Sequence, residues 1–136
     1  MTVRDALVIG FKARFPGVPC SIVDGAGWEL KVQAPNPQLG FVSVTDDRDE
    51  ATVFVGELTH GHFDWYDGSL SDDARARLVS DSVLSFLDDL FHDRVVVWTA
   101  GPGRSGGWRV LEEGEAPQPR KGVSSHLWSR PLSQTP

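Results

Sequence analysis

The segment Thr59-His60-Gly61-His62-Phe63-Asp64-Trp65-Tyr66-Asp67 gathers the side chains best suited to chemistry. His60, His62 and Asp64 alternate with Gly61 and Phe63, so an extended backbone sends all three to one side. Two imidazoles so spaced on a strand can chelate zinc, and the carboxylate offers a third donor. The same residues also suit a structural corner, with Phe63, Trp65 and Tyr66 packed over a sheet edge and the histidines hydrogen-bonded locally. A third use is a binding surface, since Trp and Tyr supply large, rigid contact area. Asp64 and Asp67 would give that surface a negative sign.

The pattern His60-x-His62-x-Asp64 resembles the His-x-His-x-Asp element of metallo-β-lactamase-type hydrolases, which implies a metal-dependent hydrolase with these three residues as ligands. That family places a further His directly after the Asp, where this chain has Trp65, and needs later His and Asp ligands on a longer αββα frame. Outside the segment only His92 and His126 remain. The residues are therefore read as a protein-binding surface with no cofactor; if a metal is held, the ligands are His60, His62 and Asp64.

Other motifs carry less. Gly101, Gly103 and Gly106 satisfy Gly-x-Gly-x-x-Gly, but a dinucleotide fingerprint must run from strand into helix so that pyrophosphate meets a helix N-terminus. Here the glycines lead into Trp108-Arg109-Val110-Leu111, which reads as strand, so the loop is a hairpin connection with Arg104 exposed at its tip and free to touch an acidic or phosphorylated partner. Carboxylates cluster at Asp46 to Glu50, at Asp72 and Asp73, and at Asp88 to Asp93, in turns and at helix ends where solvent keeps them ionised. Cys20 is the only cysteine, so neither an internal disulfide nor a Cys-based zinc site is available. No nucleophilic triad, phosphate-binding loop or paired His-Glu helix motif is present, and the expectation is a non-enzyme.

The elements that must position these residues follow from periodicity. Thr2 and Asp5 form a shortened capping box, and Val3, Ala6, Leu7, Gly10 and Phe11 share a face until Pro16-Gly17, predicting a helix over about residues 3–15. Four strands follow, at about 20–23, 28–34, 40–45 and 51–56; in the second, Trp28, Leu30, Val32 and Ala34 alternate with Glu29, Lys31 and Gln33. Ser71 caps a second helix whose stripe is Val79, Val83, Phe86, Leu87 and Leu90. Residues 94–100 and 108–111 close as a hairpin. The expected fold is α+β, in the order α-β-β-β-β-α-β-β: one antiparallel sheet of about six strands with both helices on one face. Residues 1–113 form a single domain in this reading, and 114–136 a Pro/Ser-rich, extended and partly mobile tail anchored by Leu127 and Trp128.

Charge narrows the function. The 136-residue chain has a formal net charge of -6, with 10 basic and 18 acidic residues over 1–113 but three basic residues against one acid over 114–136. Such a body disfavours nucleic acid and favours a basic protein partner through electrostatic steering. No apolar run approaches the ~18 residues of a membrane span, and the N-terminus, broken by Arg4 and Asp5, does not read as an export signal, so the expected place is the cytoplasm. The strand ending Val53-Phe54-Val55-Gly56-Glu57-Leu58-Thr59-His60, with the later Gly106-Gly107-Trp108, resembles small bacterial cytosolic α+β proteins of the toxin-immunity type, a likeness of size, acidity and architecture that implies a one-to-one complex with a basic toxin domain. The element order is also similar to type III secretion chaperones, which implies a client-binding dimer; those end in a third helix where this chain has its Pro-rich tail. The sequence leaves the oligomeric state open.

Overall fold

The computed structural model describes residues 1–133. Helix α1 spans Val3–Arg14, and both halves of its capping box form: Thr2 accepts from the Asp5 backbone N–H while Asp5 accepts from that of Thr2. Strands β1 (Ser21–Asp24), β2 (Trp28–Gln33), β3 (Phe41–Asp47), β4 (Glu50–Val55) and β5 (Thr59–Phe63) make an antiparallel meander in chain order. Helix α2 (Asp72–Phe91) starts where the Ser71 hydroxyl accepts from the Ala74 N–H. After it come β6 (Val95–Thr99), β7 (Gly106–Val110), β8 (Ser124–His126) and β9 (Pro131–Leu132), in the order β7-β6-β8-β9.

Alternation decides which face each strand buries. Trp28, Leu30, Val32, Val42, Val44, Ala51, Val53 and Val55 point inward and meet Leu7 and Phe11 of α1 and the stripe of α2 in one core. Leu87 and Leu90 are fully buried there, each stabilising the fold by roughly 1.5–3 kcal/mol relative to exposure. The helices approach closely because Gly10 faces Leu84, where any Cβ would overlap the Leu84 side chain. In the second sheet Val95 and Val97 join the main core, while Val96, Leu111 and Leu127 form a satellite cluster on the opposite face.

The α+β class and both helices agree with the sequence reading, but the single six-stranded sheet is replaced by a five-stranded and a four-stranded sheet. The reason lies at the junction. The Trp108 indole rests on Gly61 of β5 and stacks on Phe86 of α2 with ring centroids 4.7 Å apart. This wedge keeps β7 beside β5 without pairing to it, and the other edge of β6 is taken by β8. The stretch read as an extended tail thus supplies two short strands within its described part; positions 134–136 lie outside the described residues.

That stretch is tied to the body at several points. Leu127 and Trp128 are buried, and the Trp128 ring lies 5.0 Å from Phe91, which in turn meets Phe15 at 5.1 Å. Asp93, with φ at 60° just past the end of α2, accepts from both the backbone N–H and the hydroxyl of Ser129.

Candidate functional site

The β4–β5 register builds a ladder on the outward face. His62 lies directly across from Thr52, with Nδ1 3.0 Å from the Thr52 hydroxyl, and His60 lies across from Phe54, with ring centroids 5.5 Å apart. The two imidazoles meet edge to face at 5.5 Å. Both are exposed, because Gly61 between them turns its backbone onto Trp108 and sends its neighbours outward. One step further the Tyr66 hydroxyl donates to Glu50 at 3.2 Å. The outward rungs are thus Phe54/His60 and Thr52/His62, and past the end of β5 the Tyr66 side chain reaches back to Glu50.

Beyond β5 the chain turns through residues 64–70, and Arg75 of α2 fixes this turn. Its guanidinium donates to the backbone carbonyls of Trp65 and Asp67, each at 3.2 Å, and pairs with Asp49 and Asp72 at 3.6 and 3.4 Å. Asp67 accepts from the N–H and hydroxyl of Ser69 at 2.9 and 2.6 Å, and these bonds hold its carboxyl below the usual carboxylate range. Trp65 remains 44% exposed and Tyr66 82%, although their backbone is pinned. They border an open cleft of about 600 Å³ whose other wall is the β3–β4 turn, including Asp47, Arg48, Asp49 and Glu50. The hydrogen bond to Glu50, with the negative charge of Asp64 and Glu50, raises the Tyr66 phenol above its ordinary pKa.

His60, His62, Asp64, Trp65, Tyr66 and Asp67 thus occupy one continuous surface. Arg104 does not border the Trp65–Tyr66 cleft: its loop leads into Gly106, packed on the Leu58 carbonyl at the start of β5, whereas Trp65 and Tyr66 follow the end of that strand. Asp64 acts on the Tyr66 phenol, His62 is engaged by Thr52, and among the described residues no group of three or more His, Cys, Asp or Glu side chains could hold a metal ion.

Sequence reasoning missed Glu50, Thr52, Phe54 and Arg75. The first three are outward positions of β4 and become partners only through its register with β5. Arg75 carried a weak signal, a cation in the first turn of a helix where the dipole favours acids, which suggests another task. Among the described residues no helix is long and apolar enough to cross a membrane. Compared with protein-family models, with curated proteins and with solved structures, the chain matches none.

Proposed function

We propose that this protein is a non-enzymatic, acidic, cytoplasmic binding protein that docks a basic protein partner on the Trp65–Tyr66 cleft, in the manner of an immunity-type inhibitor. The observation that carries this reading is the pair of exposed aromatics on a turn pinned by Arg75, beside the carboxylates of Asp49, Glu50 and Asp64. Aromatic anchors surrounded by charge are how interfaces concentrate affinity, and a backbone already fixed loses little entropy on docking. The acidic wall selects a basic counterpart and speeds its approach, an effect that salt weakens.

The test is co-purification from the source cell with wild-type protein and with the double variant Trp65→Ala, Tyr66→Ala as bait. The wild type is expected to retain one basic protein at one-to-one stoichiometry, with about 100-fold tighter binding than the variant and loss at high salt. Recovery of the same partners at equal strength by both baits removes the cleft from the interface. Recovery of an acidic or unfolded client, or of a homodimer alone, removes the inhibitor reading.

A further inference from the structure

A second site lies away from the aromatic cleft, and it begins at Asn36, which is 1% exposed. Its Oδ1 accepts from the Gln38 backbone N–H at 3.1 Å, which fixes the orientation of the amide. Its Nδ2 then donates to the Leu127 carbonyl at 3.0 Å and faces Nδ1 of His126 at 3.4 Å. A donor facing Nδ1 makes that atom the acceptor, so the ring is neutral and carries its proton on Nε2. Burial, which also lowers the pKa of His126, acts in the same direction.

Nε2 makes no hydrogen bond among the described residues, although His126 is only 5% exposed. It is not sealed in, because among those residues no fully buried side-chain nitrogen or oxygen lacks a partner. The ring lines a groove of about 440 Å³ between the β6–β7 loop and the β8–β9 hairpin, with Gln38, Thr99, Ser124, Pro131 and Leu132 among its walls. Among the described residues, none of the side chains lining it is charged. The groove is the size of a small-ligand site and offers a fixed N–H from an almost buried ring.

We propose that this groove binds a small, uncharged, planar ligand bearing a carboxamide or comparable carbonyl, whose oxygen accepts from His126 Nε2–H. The absence of charge among the described lining residues decides the class. A carboxylate would enter without a cationic partner and against a net charge of -6, while an ammonium would meet a donor with no carboxylate to balance it. A neutral acceptor satisfies the N–H at the lowest desolvation cost, and its apolar plane can lie along Pro131 and Leu132.

Benzamide, benzoate and benzylamine have similar shape and differ in charge, so they separate these possibilities. Each is titrated into the full chain at neutral pH while the His126 ring resonances are followed by NMR. Benzamide is expected to give a saturable shift at His126 with affinity at least about tenfold above the other two. Ser124→Trp, at an exposed position of the groove wall, is expected to abolish that shift while leaving the Asn36–His126 contact in place. His126→Phe, checked for an unchanged amide spectrum elsewhere, is expected to remove benzamide-induced shifts in the neighbouring β8 amides. No saturable response to benzamide, equal affinity for the three probes, or a response untouched by both variants overturns the proposal.

Discussion

Trp108 and Gly61 are in such close contact that the indole occupies the space a Cβ on Gly61 would need. The contact joins the two sheets and sets the outward direction of His60 and His62. Gly61→Ala must therefore shift the Trp108 ring from its place on Phe86. The expected loss is about 1–3 kcal/mol, the usual penalty of overpacking, read from the urea midpoint. Gly68→Ala is the control: its Cβ would meet nothing within 4 Å, so its effect should stay within about 0.5 kcal/mol.

Asp93 holds the C-terminal hairpin to the end of α2 through two hydrogen bonds to Ser129 and takes a left-handed backbone conformation, with φ at 60°. Asp93→Gly keeps that conformation available while removing the carboxylate, and Asp93→Ala adds backbone strain. Both variants should speed amide exchange at Ser125 to Trp128, by an amount matching about 1–3 kcal/mol of local stability for Asp93→Gly, with Asp93→Ala less stable by roughly a further 1 kcal/mol. Equal stability of the two would show that the backbone at residue 93 relaxes.

How much could be read beforehand depended on whether a segment carried its own periodicity. Helix α2 was legible because Val79, Val83, Phe86, Leu87 and Leu90 form a stripe that only a helix can bury together. Strand β2 was equally plain from its strict alternation. Strand β8, Ser-Ser-His, has no apolar pattern; its pairing follows from the open edge of β6, and that edge exists only after tertiary folding. Within the candidate site, the alternation of His60 and His62 placed both on one face. Their pairing with Phe54 and Thr52, and the reach of Tyr66 to Glu50, depend on a register that no local residue specifies.

His126 gives the fold a definite response to acid. Burial holds its pKa below the usual 6.5, and Asn36 presents an N–H to Nδ1, so the folded state favours the neutral ring. The unfolded chain binds this proton more readily, and stability rises with pH wherever that is so. The contribution is complete above about 6.5 and is lost as pH falls from there toward the lower folded pKa. The urea midpoint should drop between pH 8 and pH 5.5 in the wild type, with a smaller drop in His126→Gln. Exchange at Ser125 and Leu127 should accelerate before that of α2, since the clamp fails locally first.

Tyr66 is the only tyrosine in the chain, so the ultraviolet absorbance of tyrosinate reports one group of the candidate surface. Its hydroxyl donates to Glu50 while Asp64 and Glu50 oppose a new negative charge, and both effects retain the phenolic proton. Ionisation is expected above the ordinary value of 10, and Glu50→Gln should bring it down, with a smaller fall for Asp64→Asn because the Glu50 hydrogen bond is the leading cause. Added salt should lower the wild-type value further toward 10 by screening the carboxylates. An unshifted, salt-insensitive phenol in the wild type would mean that Tyr66 does not rest on Glu50, and the acidic wall beside the aromatic pair would lose its role in selecting a basic partner.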